Sequence, residues 1–315
     1  MGINTAFVSA ELAAHAEFRQ ELNVSRISTF LIFPVFQNPE YLAENPDSRA
    51  ITHRGSPATE DWVEFVCPSR GDYRRLCRER LIEQLSRLQP DGLSLDFIRQ
   101  FVYWEMIHPE REPGSLDLAC FCPHCIGEFK SETGLYLPDT CTGAEVYAAF
   151  MISEYPAELQ AFRCRQITSM ISNLAEAART VCPGIRLAIH TVPWRDVDFG
   201  NAGMRVAAQD IKSIAPLIDY ISPMCYSHML KRDAAWIESV TQYMDNLAPG
   251  KVLPSIQVYP YYIDDPFTAA DFAGCTEAAL RPPGKGVVFF SWPLFERDTL
   301  RIVEVERILR NRLRK

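Results

Sequence analysis

The order of apolar and amphipathic segments constrains the fold of this chain more than any other feature. Short apolar runs rich in β-branched and aromatic residues predict buried strands, and longer segments with an apolar repeat near 3.6 residues predict helices. The two kinds of segment alternate, which favours a parallel sheet covered by helices. Strands are predicted at residues 4–10, 27–36, 91–98, 185–192, 219–226, 252–259 and 286–292.

Helices are predicted in most of the sequence between these strands. One long helical segment, 144–181, is interrupted near Pro156, because proline removes a backbone donor and breaks a helix. Two polar segments, 37–70 and 99–141, are rich in turn-forming residues and predict long loops. The remaining helices are predicted at residues 11–22, 72–88, 203–215, 233–247, 268–280 and 296–312.

The predicted fold class is α/β, in the form of a TIM-type (β/α)₈ barrel. A chain of 315 residues has a suitable length for one such barrel, so we predict a single catalytic-type domain over residues 1–315. The alternative, an open doubly wound sheet, usually carries a glycine-rich phosphate turn after its first strand, and this sequence has none. The eighth strand is either a weak segment at 62–66 or a first barrel strand that is missing or modified at the N-terminus.

The charge and hydropathy of the chain argue against several classes of partner. The formal net charge is −8 and no basic stripe is present, which argues against nucleic acid. No apolar run reaches the roughly 18–20 residues that cross a bilayer. The first residues lack the basic region and the apolar core of a signal peptide, so we expect a cytoplasmic protein, without excluding a signal removed earlier. The sequence leaves a homo-oligomer open.

Three closely spaced cysteines form the densest chemical motif of the sequence. They follow the pattern Cys120-x-Cys122-x-x-Cys125, and cysteines at such short spacing are typical zinc ligands. Cys67, at the end of the first long loop, is a better fourth ligand than His124, which would be strained between two ligands. The sequence therefore predicts one structural zinc that joins the two long loops. A disulfide or free thiols are the alternative.

The sequence around these cysteines resembles a known enzyme family. The stretches "CPSRGDYRR" and "CFCPHC" are similar to the zinc-binding cluster of the glycoside hydrolase family 42 β-galactosidases. The upstream stretch "PVFQNPEYLAENPD" also resembles the loop that follows the third strand in those enzymes. The likeness covers roughly residues 27–130. It implies a TIM barrel in which 4–10 and 27–36 are the second and third strands.

The resemblance does not extend to the catalytic residues. Family 42 enzymes use an Asn–Glu pair after the fourth strand and a glutamate at the end of the seventh, whereas this chain has "LDFIRQ" and Gln257 there. A second resemblance, to the chitinase-like barrels, rests on "DGLSLDFI" and "SPMCYS". Asp96 matches that pattern, but Ser94 replaces its middle aspartate and Ile98 replaces its catalytic glutamate. Neither family's mechanism can therefore be transferred directly.

Two carboxyl side chains are the candidate catalytic groups. Hydrolysis of a glycosidic bond usually needs one carboxyl that protonates the leaving oxygen and a second that acts as nucleophile or base. Asp96 ends a predicted strand at the carboxyl edge of the sheet, where barrel enzymes hold their active sites, and Glu105 follows on the next loop as the candidate acid/base. Arg99 would keep Asp96 ionised or bind an acidic substrate group. A purely structural Asp96–Arg99 pair is the alternative.

Aromatic and polar residues follow the other predicted strands. Such groups at one end of a barrel suit a carbohydrate substrate. We therefore expect a glycoside hydrolase of oligo- or polysaccharides; the alternatives are a catalytically silent carbohydrate-binding barrel and a carbohydrate lyase. The candidate substrate-binding residues are Arg99, Trp104, His190, Trp194, Tyr226, His228, Gln257, Tyr259 and Trp292. One cleft is expected to contain Asp96, Arg99, His190, Tyr226, Gln257 and Trp292.

Overall fold

A computed structural model describes residues 2–138 and 141–313 of the chain, which form an α/β fold. Each of the seven predicted strands is present, within the predicted limits. Two further strands form a small hairpin inside the first long loop. The strands are β1 (Thr5–Val8), β2 (Ser28–Pro34), β3 (Thr59–Glu60), β4 (Val63–Glu64), β5 (Gly92–Asp96), β6 (Arg186–Thr191), β7 (Tyr220–Pro223), β8 (Ser255–Gln257) and β9 (Val288–Phe290).

Seven parallel strands follow one another in chain order, as in the wall of a barrel. The main sheet has the order β1-β2-β5-β6-β7, and β8 pairs with β9. Parallel bridges from Ile221 to Val252 and from Met224 to Ser255 continue the wall from β7 to β8. Among the described residues no ladder joins β9 to β1, so the structure shows a curled parallel sheet consistent with part of a TIM barrel. A closed eight-stranded barrel stays a prediction.

The prediction that residues 62–66 supply the eighth strand of the barrel is wrong. Val63 and Glu64 pair antiparallel with Thr59 and Glu60, in a hairpin separate from the parallel sheet. Because β3 and β4 are joined by only two residues, local pairing takes the place of a pairing with the distant sheet.

Most predicted helices are confirmed, and four of them match to within one residue at each end. The predicted helix at 203–215 is instead two single turns, because Ala208 adopts φ +56° and a left-handed residue ends a helix. The helices are α1 (Ala10–Ala14), α2 (Ala16–Val24), α3 (Pro39–Glu44), α4 (Gly71–Leu88), α5 (Pro123–Thr133), α6 (Gly143–Glu154), α7 (Pro156–Val181), α8 (Ala202–Arg205), α9 (Ile211–Ile214), α10 (Ala234–Leu247), α11 (Ala269–Leu280), α12 (Trp292–Phe295) and α13 (Leu300–Leu313).

None of the helices in the described ranges is both long enough and apolar enough to cross a lipid bilayer.

The strand register separates a polar face of the sheet from an apolar one. Paired residues of parallel strands share a face, and side chains alternate between the faces along each strand. Phe289 packs 5.8 Å from Phe272 of α11, which identifies the face covered by helices. The opposite face looks into the barrel. It carries the register pairs Ser94–Ala188, His190–Ser222 and Gln257–Phe290, and its β5 row ends at Asp96.

An aromatic cluster fills the amino end of the barrel interior. The ring of Phe30 lies 5.2 Å from that of Phe7 and 6.3 Å from that of Tyr220, and the guanidinium of Arg186 lies 5.3 Å from its centre. A Cβ atom at Gly92 would approach this ring to 2.5 Å. Glycine is therefore required here by the close approach of the ring, and the polar chemistry of the interior lies toward the carboxyl end.

Candidate functional site

The four predicted ligand cysteines converge at one buried point. The sulfur atoms of Cys67, Cys120, Cys122 and Cys125 all lie within 4.8 Å of one another. The sulfur of Cys67 is 3.3 Å from that of Cys125 and 3.5 Å from that of Cys122. Sulfurs bound tetrahedrally to zinc at about 2.3 Å lie about 3.8 Å apart, so these four could hold a metal ion after small shifts. We call these four residues the cysteine cluster.

Local geometry and loop pairing explain this convergence. Cys122 is the N-cap of α5 and accepts a hydrogen bond from the backbone N–H of Cys125, so a single turn brings the two sulfurs together. The two long loops leave the neighbouring strands β2 and β5 and hydrogen-bond to each other, with Phe121 N donating to Ile51 O at 2.8 Å. His124 lies outside the cluster, because its Nε2 is hydrogen-bonded to a backbone carbonyl of the other loop.

The thiols of the cysteine cluster have perturbed pKa values. Burial raises the pKa of the Cys120 and Cys125 thiols, whereas hydrogen bonds from the other three thiols lower the pKa of Cys122. All ten cysteines are free thiols, so the structure contains no disulfide at this point. Four buried thiols that converge on one point match the donor set of a metal site.

The second site lies at the mouth of the barrel, meaning the carboxyl ends of the parallel strands. Asp96 ends β5 there, half-buried, and accepts a hydrogen bond from Phe97 N at 2.7 Å. Burial raises the pKa of Glu105 and Tyr226 and lowers that of His190 and Arg99; in all four groups the Asp96 carboxylate adds an upward influence. Asp96 is thus the common electrostatic neighbour of four predicted site residues.

Glu105 has the environment of a carboxylic acid that remains partly protonated near neutral pH. It lies in a short 3₁₀ turn at 104–106 and is 7% exposed. Burial raises its pKa to about 7, although the positive charge of Arg99 opposes the shift. Its Oε2 atom is buried and has no hydrogen-bond partner among the described residues. A group in this state can donate a proton to a bound molecule.

Arg99 lies beneath the mouth rather than in it. Its side chain is 2% exposed and donates to the backbone carbonyl of Val102 at 2.9 Å. The guanidinium lies 4.9 Å from the ring centre of Phe65 and 5.6 Å from that of Phe97. Within the described ranges it forms no ion pair with Asp96. Its charge therefore acts on the carboxyl groups through space.

The inward face of the sheet offers further hydrogen-bonding groups. His190 Nδ1, Ser94 Oγ and Ser222 Oγ are buried and lack a partner among the described residues. Gln257 also faces inward, but its amide oxygen accepts from Met229 N at 2.9 Å and its amide nitrogen donates to Tyr259 O at 3.0 Å. The first three groups thus keep unused hydrogen-bonding capacity inside the barrel, whereas the Gln257 amide is already engaged.

A pair of stacked rings forms one side of the mouth. Tyr226 stacks on Phe290 with ring centres 5.3 Å apart and planes at 19°. The ring of Trp104 also packs against Tyr226, with ring centres 5.7 Å apart. Trp104 is 1% exposed, whereas Phe290 is 45% exposed. Sequence reasoning missed Phe290, because its register opposite Gln257 on an inward-facing row is visible only in the structure.

The other predicted substrate-binding residues lie in different surroundings. Trp194 is 3% exposed and packs edge-on against Phe199, inside the core. Trp292 is 58% exposed on α12 and packs against Phe295. His228 and Tyr259 pack against Phe267 and Arg301, respectively. Of the six residues expected in one cleft, Arg99, His190 and Tyr226 each interact electrostatically with Asp96, which also acts on Glu105.

The rim of the mouth carries aromatic residues that sequence reasoning did not select. Trp62, in the turn between β3 and β4, donates from Nε1 to the hydroxyl of Tyr262 at 2.7 Å. Tyr262 in turn lies 6.2 Å from the ring of Tyr103. Because Trp62 and Tyr262 are 200 positions apart in the chain, no local pattern could have paired them.

Comparison with known proteins supports the fold. No protein-family model and no curated protein matches the sequence. Among solved structures, the PgaB (BpsB) glycoside hydrolase domain from Bordetella bronchiseptica aligns with a TM-score of 0.71 and 9% identity, covering 95% of this chain and 87% of that one. A β-galactosidase from Marinomonas ef1 aligns at 0.63 and 12% identity, covering 92% of this chain and 50% of that one.

A third similar structure is a catalytic mutant of Gan42B, a GH42 β-galactosidase from G. stearothermophilus. Its TM-score is 0.58 and its identity 14%, with 92% of this chain and 46% of that one covered. The chain thus spans about half the length of these two β-galactosidases. These structural neighbours are TIM-barrel glycoside hydrolases. At such low identity they establish the fold, while the chemistry has to be argued from this chain's own residues.

Proposed function

We propose that this protein is a glycoside hydrolase that cleaves a glycosidic bond of an oligo- or polysaccharide at the mouth of its barrel. The observation that carries the proposal is the environment of Glu105. Its carboxyl group is buried, its pKa is raised to about 7 and its Oε2 is unpartnered among the described residues. A protonated carboxyl beside a second carboxyl is the pair that glycoside hydrolysis requires.

The two carboxyl groups take different roles because their surroundings differ. Glu105 is the general acid, which donates its proton to the oxygen of the departing sugar. Asp96 is half-buried at the end of β5 and accepts the Phe97 N–H bond, and it takes the role of nucleophile or base. The negative charge on Asp96 helps to keep Glu105 protonated, since it raises the pKa of Glu105. Arg99 opposes that shift and limits it.

The remaining groups of the mouth suit a sugar ring. The exposed face of Phe290, backed by Tyr226, offers an apolar surface to the C–H groups of a ring.

For the cysteine cluster we propose a structural zinc ion. Cysteine thiolates are preferred zinc ligands, and four of them leave no open position for a water or a substrate. The ion would offset the charge of sulfurs that the fold buries together. It would join the loop that carries Trp62 to the loop that carries Glu105, and so support the mouth from a distance.

The kinetic test compares Asp96→Asn and Glu105→Gln with the wild-type protein on a panel of defined oligosaccharides. Both variants are expected to lose roughly 100- to 10,000-fold in kcat while they still bind substrate, because each removes one proton-transfer or nucleophilic group. Asp91→Asn is the matched control. Asp91 lies at the opposite end of the same strand, where its carboxylate accepts from Thr29 N at 2.8 Å.

The outcomes separate the candidate functions. Wild-type turnover in Asp96→Asn and Glu105→Gln would reject hydrolysis at this site. A wild-type protein that binds oligosaccharides without any turnover would be a carbohydrate-binding barrel. Products with an unsaturated sugar ring would identify a lyase.

A further inference from the structure

The hairpin turn between β3 and β4 presents a tryptophan beside the mouth. Trp62 is 46% exposed, although it hydrogen-bonds through Nε1 to Tyr262. Its ring meets that of Phe97 edge-on at 5.9 Å. Phe97 directly follows Asp96 in the chain, and Tyr103, the neighbour of Tyr262, precedes Glu105 by two residues. Trp62 is therefore connected to the carboxyl site by two sets of contacts, one through Phe97 and the other through Tyr262 and Tyr103.

Unusual backbone conformations fix the orientation of this tryptophan. Asp61, Phe97 and Tyr262 have φ angles of +53°, +49° and +65°, a region that residues other than glycine rarely adopt. In two-residue hairpin turns this conformation at the first position normally selects glycine. Asp61 is accommodated because its carboxylate accepts a hydrogen bond from the Tyr103 hydroxyl at 2.9 Å. Three such positions around one ring mark a site that its surroundings hold rigidly.

A cavity of about 470 Å³ adjoins Trp62. Its volume lies within the range of roughly 300–1,000 Å³ that is usual for small-molecule sites. Arg49 and Glu64 form an ion pair of 2.6 Å at this cavity and are both about a quarter exposed, so each keeps hydrogen-bonding capacity toward it. The lining includes Pro39, Arg49, Pro57, Asp61, Trp62 and Glu64. An exposed aromatic face beside paired polar groups is the surface that binds a sugar ring.

We propose that Trp62 and this cavity form a second carbohydrate subsite, which binds a further sugar unit of a chain held at the mouth. The inference rests on the proposed carbohydrate function and specifies its substrate class. The substrate is a chain of several sugar units that passes from Asp96 and Glu105 over Trp62, rather than a disaccharide. Because its neighbours already hold Trp62 in one orientation, binding such a chain costs less conformational entropy.

The test measures binding in the Glu105→Gln background, where turnover does not interfere. The probes are gluco-, galacto- and N-acetylglucosamine oligosaccharides of two and of five units, titrated by calorimetry. In at least one series the pentasaccharide is expected to bind about tenfold more tightly than the disaccharide, and Trp62→Ala to abolish that difference without changing the affinity for the disaccharide.

Two further variants make the test specific. Trp62→Phe keeps an aromatic face and is expected to retain most of the preference for the pentasaccharide. Tyr136→Ala removes an aromatic side chain that is 67% exposed in the segment after α5, and is expected to change neither affinity. Circular dichroism of each variant confirms that the fold is retained.

Equal affinity for both lengths, a length preference that survives Trp62→Ala, or no binding of any probe would overturn the subsite. The proposed hydrolase activity fails separately. Loss of the length preference in Trp62→Ala together with no turnover by the wild-type protein keeps the subsite and rejects hydrolysis. Turnover of disaccharides by the wild-type protein, with a length preference that Trp62→Ala does not change, keeps hydrolysis and rejects the subsite.

Discussion

The cysteine cluster and the mouth use the same two loops, after β2 and β5, but they satisfy their polar groups in opposite ways. In the cluster, the four sulfurs accept and donate hydrogen bonds among themselves and with nearby backbone N–H groups. At the mouth, Glu105 Oε2, His190 Nδ1 and Ser222 Oγ lie buried without a partner among the described residues. The first region satisfies its polar groups within the fold, whereas the second leaves some of them without a partner.

This difference indicates how the two regions divide their roles. Groups that find their partners within the fold contribute to stability, whereas buried groups left unpaired cost stability. Proteins accept that cost where binding or catalysis needs it. The cysteine cluster is therefore expected to govern the free energy of unfolding, and the mouth to govern turnover and its pH dependence.

The largest expected effect comes from removing one ligand of the cluster. Cys122→Ser should abolish metal binding, because a serine hydroxyl does not replace a thiolate as a zinc ligand. The free energy of unfolding should fall by about 4 kcal/mol or more, which lowers the Tm by roughly 6 °C or more. Elemental analysis and differential scanning calorimetry of the same samples measure both effects.

Cys182→Ser is the control for that experiment, because Cys182 is a free, partly buried thiol outside the cluster. It should keep one equivalent of metal and nearly the wild-type Tm. A Cys122→Ser protein with its metal and its Tm unchanged would contradict the structural role of the cluster.

The next largest effect is an increase in the free energy of unfolding when Glu105 is replaced by glutamine. The pKa of Glu105 in the fold is about 7, above its ordinary 4.5, so burial favours the neutral form. The stabilising contribution is complete below pH 4.5 and is lost as the pH rises through 7. Above that pH the buried charge costs up to about 3 kcal/mol. Glu105→Gln should therefore be more stable than the wild type at pH 8 by an amount that vanishes at pH 4.

Urea denaturation at both pH values measures this difference. Glu112→Gln, which neutralises an exposed carboxylate on the same loop, should behave like the wild type at both. An advantage of Glu105→Gln that is equal at pH 4 and pH 8 would show that the burial of Glu105 has no electrostatic consequence.

A smaller effect is expected from the charge beneath the mouth. Arg99 lowers the pKa of Glu105 against the dominant influence of burial, so Arg99→Met should raise that pKa further, by about 1 unit. The alkaline limb of the kcat/KM profile should then move to higher pH by the same amount. Arg186→Met is a matched control, since Arg186 also lies over a phenylalanine ring but at the amino end of the barrel. An unmoved limb in Arg99→Met would exclude Glu105 as the group that titrates.

The parts of the molecule that depend on local pattern could be predicted from the sequence. The strands were found because continuous apolar runs of β-branched and aromatic residues have few other structures available to them. The cysteine cluster was found because three of its members lie within one turn of α5 and its approach. The fourth, Cys67, followed from the adjacency of two loops on neighbouring strands.

The parts that depend on distant contacts could not be predicted. Trp194 was expected at the mouth, but a residue after a strand can turn into the core, as its packing on Phe199 shows. The pairing of Trp62 with Tyr262 joins two loops that no local pattern relates. The burial of Glu105, on which its raised pKa depends, arises from a fold of the loop that its sequence does not reveal.

The close approach of Phe30 to Gly92 restricts how this lineage can change. A single added methyl group at position 92 would meet the ring at 2.5 Å, so residue 92 can grow only after residue 30 has become smaller. Replacing Phe30 removes a ring that packs against Phe7, Tyr220 and Arg186, and these three residues lie on three other strands. The order of substitutions is therefore fixed, and the intermediate sequence carries a void. Relatives of this protein should therefore carry a residue larger than glycine at position 92 only where position 30 is smaller than phenylalanine.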